Sequence, residues 1–116
     1  MNSSALFVID ADPRTSGRPA EAVRIAAGVG VWKRIDVAVY LRDAAVLILG
    51  ENTEDLVDQD NYARYLPLLG ELGRPIYIQQ GASCLGQLGQ AVLSYQEISD
   101  SRLAQLAAER SQVLRF

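Results

Sequence analysis

The residue with the clearest chemical potential is Cys84, the only cysteine in 116 residues, set in the run Gly81-Ala82-Ser83-Cys84 and followed by Gly86 and Gly89. A thiolate is a strong nucleophile and a sulfur acceptor. A free cysteine, with a pKa of about 8.5, is only slightly ionised at neutral pH, so chemistry requires neighbours that favour the anion. A Gly/Ser loop at the end of a strand can supply backbone N–H groups for that purpose, best at a helix N-terminus. The competing reading is structural, because a lone cysteine often serves as a small buried hydrophobe. Asp12 and Arg14 are the next candidates. They flank Pro13 in the loop after the first apolar run, where Arg14 would favour a nearby thiolate and where Asp12 before proline is equally explained as turn chemistry. Gly81 and Ser83 complete the expected substrate-binding set around Cys84. Arg42 and Asp43 form a weaker pair, with Asp43 expected to cap the segment that follows rather than to act as a base.

What the chain lacks narrows the chemistry further. It has no histidine, which excludes a Ser-His-Asp or Cys-His centre built from this chain alone and the usual histidine/cysteine zinc sites. No Walker A sequence or complete dinucleotide glycine fingerprint is present. Residues 51–60 hold five of the 14 acidic residues, namely Glu51, Glu54, Asp55, Asp58 and Asp60. They do not follow a calcium-loop pattern, so no metal is expected, and a solvated loop or a docking surface is. The net charge of −3 and a pI near 4.8 argue against nucleic acid as a partner. No apolar run approaches the roughly 18 residues of a membrane span. Residues 1–4 lack a basic n-region, a single thiol suits a reducing compartment, and a cytoplasmic location is expected. The sequon Asn2-Ser3-Ser4 is read as chance for the same reason.

The elements that must position these residues alternate between strand and helix. Residues 5–9 (Ala-Leu-Phe-Val-Ile) form a continuous apolar run suited to a strand buried on both faces. Pro19 suits the start of a helix, on which Val23, Ala26, Ala27 and Gly30 share one small-residue face. Residues 35–41 and 76–78 read as further strands, and residues 44–49 fit either a helical turn or a strand. Tyr62, Tyr65, Leu66, Leu69 and Leu72 recur at helical spacing, as core or as an interface, until Gly73-Arg74-Pro75 stops the helix. Residues 79–89 are a loop that can include a helical turn. Ser99 or Asp100 can cap a last helix with Leu103, Leu106 and Ala107 on its inner face, and residues 113–116 close as a strand. Trp32, beside Lys33 and Arg34, is the better interface candidate. The pattern predicts one α/β domain over residues 1–116, with a mostly parallel five-stranded sheet covered by helices on both faces.

Taken in order, three segments resemble the DsrE/DsrF/TusD sulfur-relay family. They are the first strand leading to Asp12-Pro13 and a small-residue helix, the run Val39-Tyr40-Leu41-Arg42-Asp43-Ala44-Ala45-Val46, and the strand Ile76-Tyr77-Ile78 followed by the cysteine loop with Gly89 five residues past the thiol. The finish Ser111-Gln112-Val113-Leu114-Arg115-Phe116 is also similar. The resemblance implies a flavodoxin-like fold, assembly as a homo-oligomer (trimer or hexamer) or with related subunits, and transfer of sulfane sulfur as a persulfide on Cys84 between donor and acceptor proteins, without a cofactor. Some members of the family are partner subunits without a reactive thiol. The loop Cys84-Leu85-Gly86-Gln87-Leu88-Gly89 carries no basic residue after the thiol, which favours that second role. A small-ligand-binding α/β module is the third possibility, resting on fold analogy.

Overall fold

A computed structural model of the protein describes residues 3–32, 35–73 and 75–116. Asn2 of the sequon, Lys33 and Arg34 beside Trp32, and Arg74 of the helix stop lie outside the described residues. Five strands, β1 (Ser4–Ile9), β2 (Asp36–Leu41), β3 (Ile76–Gln79), β4 (Tyr95–Ile98) and β5 (Gln112–Arg115), form one sheet in the order β4-β3-β2-β1-β5. Every strand pair is parallel. β1 and β2 are central and, apart from the first residue of each, buried along their whole length, as their apolar runs require.

Connection handedness decides what covers each face. The chain steps β1→β2→β3 in one direction, and right-handed crossovers place α1 (Arg18–Trp32) and α2 (Gln59–Gly70) together on one side. The return from β4 to β5, across the sheet, puts α3 (Asp100–Glu109) on the other. The side-chain period of two then divides the core. Phe7, Ile9, Val39, Leu41 and Ile78 face α1 and α2, while Leu6, Val8, Ala38, Tyr40 and Tyr77 face α3. The small-residue face of α1 is buried as expected, with Ala26, Ala27 and Gly30 against the sheet and α2. Ser99 caps α3, its Oγ accepting from the Arg102 N–H at 3.2 Å. Arg110, just past α3, reaches the Asp36 carboxylate at 3.0 Å and ties the helix end to the start of β2.

Residues 44–49 take the helical of the two forms open to them, as Asp43–Leu49 forms a 3₁₀ helix that buries Ala45, Val46, Ile48 and Leu49. Other expectations change. Asp43 does not cap this helix. Arg42 holds the cap position, and Asp43 stands in the first turn at φ +53, a left-handed conformation that aspartate tolerates. β4 is an addition. Its sequence Tyr-Gln-Glu-Ile buries only Ile98, so it carries no apolar run to announce it. Pro67 lies inside α2, where it withholds one N–H from the helical ladder. Among the described residues no helix is long and apolar enough to cross a membrane.

Candidate functional site

Because all strands run the same way, the loops after β1, β2, β3 and β4 meet at one edge of the sheet. They carry Asp12 and Arg14, Arg42 and Asp43, Gly81 to Cys84, and Ser99 respectively. Hydrogen bonds link them in sequence across the sheet. The Arg42 N–H donates to the Ile9 carbonyl at 3.1 Å, the Asp43 N–H to Gln79 Oε1 at 2.9 Å, and the Gln80 N–H to the Ile98 carbonyl at 3.1 Å. The loop after β3 stays on the α1/α2 side, where Cys84 and Leu88 join that core, whereas the loop after β4 leads to α3 on the opposite side. In open parallel sheets, ligands collect where neighbouring loops diverge in this way. Cys84 lies in the first of these two loops.

The local geometry of Cys84 follows from its neighbours. Gly81 adopts φ +72, a conformation that suits glycine, and turns the chain sharply out of β3. Its N–H is taken by Glu97 Oε1 at 3.2 Å, so Gly81 shapes the loop rather than offering its N–H to the sulfur. Cys84 then caps a single 3₁₀ turn, Leu85–Gln87, and its carbonyl accepts from the Gln87 N–H at 3.0 Å. One such turn supplies little of the dipole that a full helix N-terminus would provide. The Ser83 hydroxyl approaches Sγ at 4.0 Å, the long end of a sulfur hydrogen bond. Cys84 itself is only 7% exposed and packs in the main core.

Asp12 and Arg14 form a forked pair. Arg14 Nε donates to Asp12 Oδ1 at 3.0 Å, Arg14 Nη2 to Oδ2 at 2.8 Å, and the Arg14 N–H to Oδ1 at 2.9 Å. These bonds hold the Asp12 carboxyl below its ordinary value. The Arg14 guanidinium is pushed upward, chiefly by Asp12. Arg14 and Cys84 lie in loops at the same end of the sheet, and the guanidinium fork already holds a carboxylate. The field of such an ion pair falls off faster than that of a single cation.

The acidic segment joins these loops. Its Val57 N–H donates to the Pro13 carbonyl at 2.9 Å, and its Glu51 N–H to the Leu88 carbonyl at 3.2 Å. A Cβ on Gly89, which has φ +63, would meet Glu51 Oε1 at 2.5 Å, so the segment packs directly on the chain just past Cys84. Leu56 anchors it in the core. No cluster of potential metal ligands occurs among the described residues. Tyr62 is buried in the core rather than displayed as an interface, while Trp32 is 84% exposed at the end of α1.

No protein-family model matches the chain, and no curated protein is significantly similar to it in sequence. Among solved structures, the ychN protein from E. coli superposes with a TM-score of 0.79 at 16% sequence identity, covering 98% of this chain and 99% of that one. At that identity the likeness concerns the fold, and it establishes a parallel, flavodoxin-like α/β arrangement.

Proposed function

We propose that the protein relays sulfane sulfur through Cys84. The observation that carries this reading is the position of the sole thiol, in the loop after β3 at the sheet edge where neighbouring loops diverge, at the same end of the sheet as the Asp12–Arg14 pair. The DsrE-type fold supports it at the level of the family. The Cys84 thiolate attacks the outer sulfur of a donor persulfide, R–S–SH. A bond forms from Sγ to that sulfur, the donor S–S bond breaks, and its electron pair leaves on the donor thiolate, which takes up the proton released by Cys84. An acceptor thiolate then attacks the outer sulfur of Cys84–S–SH and regenerates the Cys84 thiolate. No external oxidant or reductant is consumed. Because Cys84 is buried, the 81–89 loop must open for each transfer, which the Gly81–Glu97 bond opposes. A homo-oligomer, or a complex with related subunits, is part of the same proposal, with Trp32 as its exposed apolar contact.

A second reading rests on that burial. A thiol 7% exposed within the core suits an assembly subunit in which Cys84 is inert. Intact-mass measurement after brief polysulfide treatment separates the two. The relay predicts a gain of one sulfur in the native chain, none in Cys84→Ser, and slower loading in Arg14→Gln. An unchanged mass, together with alkylation of Cys84 only after unfolding, overturns the relay and leaves the assembly subunit.

A further inference from the structure

The segment that carries Cys84 is built as a separable unit. Three turns stitch Ala82 to Leu88 internally. The Leu85 N–H donates to the Ala82 carbonyl at 3.2 Å, the Gln87 N–H to the Cys84 carbonyl at 3.0 Å, and the Leu88 N–H to the Leu85 carbonyl at 3.3 Å. Among the described residues, this run is hydrogen-bonded to the rest of the chain only at its ends. The Ala82 N–H donates to the Gln79 carbonyl at 3.2 Å, and the Leu88 carbonyl accepts from the Glu51 N–H at 3.2 Å. Ala82, Cys84 and Leu88 turn inward, while Ser83, Gly86 and Gln87 face solvent. Glycines in the left-handed region bracket the run, Gly81 at φ +72 and Gly89 at φ +63. Without a Cβ, each can leave that region at little steric cost, so backbone rotation concentrates at these two points. A Cβ on Gly81 would meet nothing within 4 Å, so no packing contact freezes that hinge. One side chain spans it. Glu97, exposed on β4 and paired with Ile78 in the sheet, accepts the Gly81 N–H on Oε1 at 3.2 Å. That bond breaks as soon as Gly81 rotates.

We propose that residues 82–88 swing as one flap about Gly81 and Gly89, carrying Cys84 from the core to solvent, and that Glu97 is the positioning residue that latches the flap shut. The functional meaning of this motion rests on the relay reading, whose transfer steps need the thiol outside the core. The motion itself follows from how the segment is held. Opening breaks the two terminal backbone bonds and the Glu97 latch, and it withdraws Ala82, Cys84 and Leu88 from the core. The turns inside the flap and the whole of the sheet are kept. A unit with so few ties opens well before the molecule unfolds.

The test follows alkylation of Cys84 by iodoacetamide and amide hydrogen exchange in the full chain, across low urea concentrations. Alkylation is expected to depend on urea far less steeply than global unfolding does, because little surface is exposed. The amides of Leu88 and Ala82, whose bonds tie the flap to the chain, should exchange with the same opening constant as the thiol, and faster than those of β2. Glu97→Ala should speed alkylation about fivefold, the loss of one exposed hydrogen bond. Glu97→Gln keeps an acceptor oxygen and should restore most of the native rate. Gly81→Ala, which adds no clash but makes φ +72 costly, should also speed it, again by about fivefold. Alkylation with the full urea dependence of unfolding, or unrelated opening constants for Ala82, Leu88 and the thiol, overturns the flap. A rate indifferent to Glu97→Ala, or Glu97→Gln as open as Glu97→Ala, overturns the latch. Failure of the relay reading looks different: the thiol alkylates through local opening, yet polysulfide adds no sulfur, and the flap stands.

Discussion

On one face of the sheet Phe7, Ile9, Val39 and Ile78 lie beneath two helices and a 3₁₀ segment, whereas on the other Leu6, Val8, Tyr40 and Tyr77 lie beneath α3 alone. The strands are the same, since their alternate residues feed both faces, so the contrast comes from coverage and not from strand composition. Along α3 only Leu106 is fully buried, with Leu103 and Ala107 partly so. The thick face also holds Cys84. Global stability should thus reside on the face that carries the candidate site, and α3 should open at lower free energy than the rest.

Core truncation gives the largest expected effect. Phe7→Ala, which removes a ring stacked on Phe116 with centroids 5.8 Å apart, should cost about 3–5 kcal/mol in urea unfolding, and Leu106→Ala only about 2 kcal/mol. Equal losses would erase the difference between the faces. Ser99→Ala removes the α3 cap and should cost about 1 kcal/mol, while speeding amide exchange in α3 and leaving α1 unchanged. Uniform acceleration would show that α3 does not open independently. The two orphaned hydroxyls allow a finer comparison, since Tyr62 lies on the thick face and Tyr40 on the thin one. Tyr62→Phe and Tyr40→Phe should each be neutral or stabilise the free protein by up to about 1 kcal/mol; a clear loss at Tyr62 would mean that its hydroxyl is already satisfied. The smallest effect is electrostatic and belongs to the exposed edge. The Asp12 carboxyl, held down by Arg14, should titrate below its ordinary value of 3.8, and Arg14→Gln should raise it only part of the way, since the backbone N–H of residue 14 still donates to Asp12 Oδ1. Any stability from this pair is present above the ordinary value and is lost as pH falls through the lowered one.

Much of this architecture was legible in the sequence because its elements carry strong local signals. The apolar run of β1, the small-residue face of α1 and the Ser99 cap each state their role in a few neighbouring residues, and the order of strands and helices is enough to imply a parallel sheet. β4 was illegible for the opposite reason, being an edge strand of mostly exposed residues held by backbone pairing with β3. Residues 44–49 were ambiguous because an apolar run of six residues can be buried in either conformation. At the candidate site, sequence order placed Cys84 and Arg14 at the same edge, but not the forked bond that occupies Arg14 or the burial of the thiol. Both depend on side-chain geometry set by distant loops.

The placement of β5 beside β1 has a consequence for how the chain reaches this state. Ser4 and Ser111, bonded across the β1–β5 junction, are 107 positions apart, so the most deeply buried strand waits for one of its two partners until nearly everything between them has been synthesised. During that interval β1 is an edge, with the backbone of Ala5 to Val8 free to template a wrong strand. Contacts this remote in sequence also slow folding. The protein's most exposed moment therefore lasts until residues 112–115 emerge and seal the sheet.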